Sequence, residues 1–188
     1  MTFENLAITS ETFWTSAALF AAIDVAFILV LTWRVKPPRF RELKWLLVGT
    51  AAFLWSAFSL VLVEEFWDSY YQHFYPGWFR SGGIYFLVPL LYGLFALAFH
   101  WLALRLPGNP IVAFSLLGGA ESVLEHIWGV FGFRILDVPA LQEASPISIL
   151  VFSFPEYILY WCVVISLAVL LQTGWRMVKR KPGKAAAI

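Results

Sequence analysis

The chain has 188 residues, of which 61% are hydrophobic and 13% charged, with a formal net charge of +1 and a mean hydropathy of +0.76. A water-soluble domain of this size exposes too much surface to be so apolar, which excludes that class and points to an integral membrane protein. The balanced charge names no partner, no nucleic-acid partner is expected, and the single cysteine, Cys162, rules out an intramolecular disulfide.

The N-terminal stretch MTFENLAITSETFW is acidic and holds no Lys or Arg before the first apolar run. That is unlike a cleaved signal peptide, so the first apolar segment is expected to remain in the protein. Five apolar segments, at about 12–33, 45–66, 84–105, 110–133 and 147–172, are long enough to cross a hydrocarbon core of about 30 Å as helices. Their linkers carry turn and breaker signals: Lys36-Pro37-Pro38, Tyr75-Pro76-Gly77, the run Leu106 to Pro110, and Ser145-Pro146. The expected fold is all-α, a single transmembrane bundle of five helices over residues 1–188.

Of the 13 Lys and Arg residues, only Arg80 and Arg134 fall in the second and fourth linkers; the others fall in the first and third linkers and the tail. Basic residues favour the cytoplasmic side, so the bias predicts an outside N-terminus and a cytoplasmic C-terminus. Trp14, Trp33, Trp45, Trp67, Trp101 and Trp175 stand near segment ends, where an amphipathic ring prefers the headgroup level. Trp55, Trp128 and Trp161 stand inside segments, as bulky packing residues or as binding groups.

Ionisable residues inside a span cost about 2.5–3.5 kcal/mol each, so each needs a partner or a cavity. The fourth segment is the richest in them. On a helical wheel at about 100° per residue, Ser115, Gly118, Gly119, Glu121, Ser122, Glu125, His126 and Gly129 share one side, and Leu116, Leu117, Ala120, Val123, Leu124 and Ile127 share the other. With alternating helix directions, Glu64, Glu65, Glu121, Glu125, His126 and Glu156 all fall in the outer half, Asp24 near the midplane, and His100 on the inner side. The fifth segment adds Ser153, Tyr157 and Tyr160 around Glu156, with Pro155 expected to kink it and free the Val151 carbonyl. The expectation is one carboxylate-rich chamber. With no Lys or Arg inside the spans, burial and mutual repulsion oppose ionising all of these acids together. A neutral acid beside an ionised one suits general acid–base work. The bland alternative is interhelical glue, with the small residues easing close approach. His100 alone reads as a satisfied structural histidine. A metal is not expected, because Glu-x-x-His is absent and the cluster offers one histidine.

The chain also resembles the emopamil-binding protein family, the membrane sterol isomerases. The likeness rests on the five spans, the basic tail, the run LVEEFWDSYY ending the second segment, the turn from Arg105 to Pro110 and the proline opening the fifth segment. By that resemblance Glu64 (or Glu65) takes an acid–base role, Glu156 matches a polar position, and Tyr85 stands near an acidic position of the family. Leu60 replaces the family's histidine, and Glu121, Glu125 and His126 have no counterpart there. The expected function is a membrane enzyme, isomerase- or cyclase-like, acting on a lipid, sterol or isoprenoid. Glu121, Glu125, His126, Glu156 and Glu64 form its acid–base set, and Trp128, Trp161, Tyr157, Tyr160, Tyr85 and Asp24 contact the substrate. Trp128 or Trp161 would steady a cationic intermediate through its ring face. No cofactor is expected, and an oligomer is compatible with the pattern. A proton-coupled transporter or channel and a non-catalytic docking subunit are the alternatives.

Overall fold

The computed structural model describes residues 10–67, 73–74, 84–128, 132, 136–137 and 146–180. Six helices are present among them: α1 (Ser10–Val35), α2 (Pro37–Arg41), α3 (Trp45–Trp67), α4 (Ile84–Ala103), α5 (Pro110–Ile127) and α6 (Pro146–Arg180). The five long ones coincide with the five expected segments, and the architecture is all-α apart from one short ladder. In it β1 (His73–Phe74) pairs antiparallel with β2 (Leu136–Asp137), His73 opposite Asp137. Two residues per strand leave no periodicity to read, so the sequence gives no sign of this pairing. It ties the linker after α3 to the linker after α5 at one end of the bundle.

Among the described residues two helices are long and apolar enough to cross a membrane, over Phe86–Ala103 and Phe154–Lys179, and the stretch Trp45–Val61 is apolar but shorter. α5 runs to Ile127, and most of the expected remainder to 133 lies outside the described residues. α6 runs past the expected 172 to Arg180, where the cations Arg176 and Lys179 suit the negative end of the helix dipole. It also continues through Pro155, so the proline loses one backbone hydrogen bond without ending the helix.

α6 is the hub, touching α1, α3 and α5, while α3 packs on α4 and α4 on α5. The core is largely aromatic. Trp161 is fully buried, stacked on Tyr92 at 5.9 Å, with Phe99 at 5.1 Å and Phe114 at 5.7 Å in edge contact. Many large apolar side chains nevertheless face outward, among them Leu29, Phe58, Phe86, Leu94, Leu124 and Leu170.

The first linker holds structure that its prolines conceal. Lys36 takes a φ of 60°, and Pro37 and Pro38 then open α2, where their missing N–H groups cost nothing. This seats Phe40, fully buried, against the rings of His100 at 5.1 Å and Phe114 at 5.8 Å. Gln172 of α6 holds the rest of the turn. Its Oε1 accepts from the Lys44 amide at 2.8 Å and its Nε2 donates to the Glu42 carbonyl at 3.1 Å. The exposed Arg176–Glu42 ion pair at 3.1 Å adds little, about 0–1 kcal/mol. Replacing Gln172 by leucine is expected to cost about 1–2 kcal/mol, because two part-buried backbone hydrogen bonds are lost. Thermal unfolding of the purified protein measures it, and an unchanged midpoint would show that the turn is held without Gln172.

Candidate functional site

The site is built on α5. Asn109 caps the helix, its Oδ1 accepting from the Ile111 amide at 3.0 Å, and Pro110 takes the first turn. The helix buries Ser115, Gly118, Gly119, Ser122 and His126 and leaves Leu116 and Leu124 exposed. The small and polar side therefore faces the bundle, as the wheel predicts. Gly118 lets α6 come close enough for the Trp161 indole to lie on the α5 backbone, and a Cβ there would stand 1.9 Å from Trp161 Cδ1.

Glu121 and Glu125 are one turn apart, where side chains of a helix meet. Glu125 Oε2 accepts a 2.8 Å hydrogen bond from the Tyr92 hydroxyl of α4, which also lies 3.2 Å from the Tyr157 hydroxyl of α6. Glu121 hydrogen-bonds Glu125 and is within electrostatic reach of Tyr92 and Tyr160. One of its oxygens, Oε2, is buried with no hydrogen-bond partner. Tyr92, Tyr157, Tyr160 and Trp161 form the wall, with centroids of successive rings 5.5 to 6.5 Å apart. Trp55 of α3 closes it at 5.9 Å from Tyr160, beside the buried Ser56.

His126 is oriented by its own helix. Its Nδ1 lies 2.9 Å from the Ser122 carbonyl oxygen. A carbonyl only accepts, so Nδ1 carries the hydrogen, and Nε2 of the neutral ring keeps the lone pair. The ring meets Tyr157 edge-on at 5.6 Å. Glu156 is exposed along its side chain and within electrostatic reach of His126, which puts this pair on the α5–α6 side of the cluster.

The structure thus brings together Glu121, Glu125, His126, Tyr157, Tyr160 and Trp161, with Glu156 at the margin. Others fall elsewhere. Trp128, expected to contact substrate, is 55% exposed at the end of α5, because the wheel position after Ile127 has left the buried stripe. Asp24 is buried on α1 beside Cys162, whose Sγ is 3.5 Å from Ser115 Oγ, and its Oδ1 has no partner. His100 is apart at the α2 end, with Nε2 3.5 Å from the Phe40 carbonyl, in keeping with its structural reading. The side chains of Glu64, Glu65, Tyr85 and Ser153 lie outside the described residues.

Tyr92 escaped the sequence reading. A tyrosine in an apolar helix carries no charge signal, and only the fold shows that it reaches Glu125. Among the described residues no group of three or more His, Cys, Asp or Glu is placed to hold a metal ion. Comparison with protein-family models, curated proteins and solved structures finds no match to this chain.

Proposed function

We propose that the chain is a multi-pass membrane protein whose α5 carboxylates carry out acid–base chemistry on a lipid, sterol or isoprenoid, moving a double bond. The observation that carries the reading is the unequal treatment of two neighbouring acids. Glu125 is anchored by Tyr92, while Glu121 keeps a buried oxygen with no protein partner. Two acids that share a hydrogen bond, one anchored by a tyrosine and the other with a free oxygen, are arranged for handing over a proton. In this reading Glu121 gives its proton to one alkene carbon. The resulting cation is steadied by the ring faces of Tyr160 and Trp161. A proton then leaves the neighbouring carbon for Glu125 or His126 Nε2. One proton is added and one lost, so the product is an isomer and no oxidant is needed.

The membrane setting is supported by the outward apolar side chains and by exposed Trp33, Trp45, Trp101 and Trp175. These rings belong to the basic end, where Arg34 lies over Trp33 at 4.5 Å and Arg105 over Trp101 at 3.8 Å. In this reading that end meets the cytoplasmic headgroups, and the carboxylates lie in the outer half.

Two measurements test the reading. Lipids brominated near the headgroup are expected to quench the exposed tryptophans while a protein retaining only Trp161 stays bright. Equal quenching by a water-soluble quencher alone would remove the membrane setting. For the chemistry, vesicle-reconstituted protein in heavy water is incubated with unsaturated isoprenoid and sterol lipids. The expected product has a shifted double bond and one deuterium on carbon. A shifted product free of deuterium would rule out a carboxyl proton donor.

A further inference from the structure

Buried polar groups are almost always hydrogen-bonded. The site breaks that rule several times in one place. The Trp55 and Trp161 Nε1 groups and Glu121 Oε2 are all buried without partners, and the Tyr160 hydroxyl beside them has only Ser56 within reach. They are neighbours. The Tyr160 ring is 5.9 Å from Trp55 and 5.5 Å from Trp161, and its hydroxyl end is within electrostatic reach of Glu121. The Trp161 Nε1 edge faces Gly118, one turn before Glu121 on α5. Trp161 itself is fully buried and held among Tyr92, Phe99 and Phe114. It cannot turn to seek a partner.

The inventory of these groups selects a ligand. The indoles can only donate, the tyrosine can do either, and Glu121 Oε2 accepts, because the acid's proton lies on the oxygen it shares with Glu125. A ketone or ether oxygen only accepts and leaves Glu121 unserved. An ammonium only donates and leaves the indoles unserved. An alkene serves none. A hydroxyl donates once and accepts twice, so it satisfies the acid and the donors together. We infer that the polar groups of Trp55, Tyr160, Trp161 and Glu121 form a subsite for the hydroxyl group of a lipid alcohol, which binds with that end inside the bundle and its hydrocarbon toward the bilayer. This rests on the proposed function for the location of the site but not on any turnover.

The test is equilibrium retention of three C15 isoprenoid probes, farnesol, its methyl ether and the parent triene hydrocarbon, by protein in lipid nanodiscs. Retention by empty discs is subtracted. Farnesol is expected to be held at least about tenfold more than the hydrocarbon, with the ether between, since unmet buried groups are costly. Tyr160→Phe and Trp161→Phe keep the rings and are expected to narrow that preference. Equal retention of the three probes by the wild type would overturn the inference, leaving these groups to water. So would a preference for farnesol that both variants keep in full. Retention of farnesol without any double-bond movement would remove the enzymatic reading alone. Isomerisation of the hydrocarbon with no preference for the alcohol would do the reverse.

Discussion

Gly118→Ala is expected to destabilise the bundle by about 1–3 kcal/mol or more, the range for overpacking a close-packed interior. The added Cβ would lie 1.9 Å from Trp161 Cδ1, 2.2 Å from Cγ and 2.5 Å from Nε1. All of these are below any separation that carbon and nitrogen tolerate. The indole has nowhere to move. It is stacked on Tyr92, edge-packed on Phe99 and Phe114, and flanked by Tyr160 at 5.5 Å. Relief must come from separating α5 from α6, which also pulls the Glu121 backbone away from the aromatic wall. Unfolding in detergent by heat or by a denaturing surfactant reads the loss. Trp161→Leu in the same chain is expected to recover part of it, giving a coupling energy in a double-mutant cycle. Gly174→Ala is the control. It is also helical, has no atom within 4 Å of its would-be Cβ, and is expected to be neutral or stabilising by up to about 1 kcal/mol. If both alanines behave alike, the close approach at Gly118 is not what sets the helix spacing.

Glu121→Gln is expected to reduce turnover by about 10²–10⁴-fold, the usual contribution of one positioned acid or base. The amide keeps the size of the side chain and can still hydrogen-bond, so the fold is expected to hold. What it lacks is a proton to transfer. Tyr92→Phe removes the 2.8 Å bond to Glu125 while keeping the ring that stacks on Trp161. Its effect is expected to be smaller, about tenfold, because it loosens a positioned group and deletes no proton carrier. Product formation in vesicles separates the cases. If Glu121→Gln retains turnover within about twofold of the wild type, the assignment of Glu121 as donor is wrong, and Glu125 or His126 must act instead.

Particular residues show how far one sequence reaches. The inward stripe on α5 was legible because polar and small residues recur at helical spacing on an otherwise apolar segment, and Ser115, Gly118, Gly119, Ser122 and His126 are buried accordingly. His100 was separable by depth alone, and it does lie apart, at the Phe40 carbonyl. Trp128 stands exposed at the end of α5, because a tryptophan inside an apolar run is equally consistent with either face. Phe40 and Gln172 were invisible for opposite reasons. One hid in a proline-rich linker and the other was a single neutral polar residue near a helix end. Both matter because they meet partners more than 50 residues away in the chain, as the bonds spanning 130 and 128 positions from Gln172 show.

The sequence by itself determined the five long helices, through apolar runs punctuated by proline, glycine and charge, and the inward side of α5, through its period. Those are local properties, set by hydrophobic burial and backbone sterics within one segment. Only the tertiary structure decided that Tyr92 anchors Glu125 and leaves Glu121 Oε2 unengaged, and that Trp55 and Trp161 bring their unmet donors to either side of Tyr160. A hydrogen bond needs two atoms within about 3 Å, and which side chains on α3, α4 and α6 come that near to α5 is fixed by helix packing. At Gly118 that packing is closest, and the missing Cβ there is what lets α6 carry its aromatic face up to the acids.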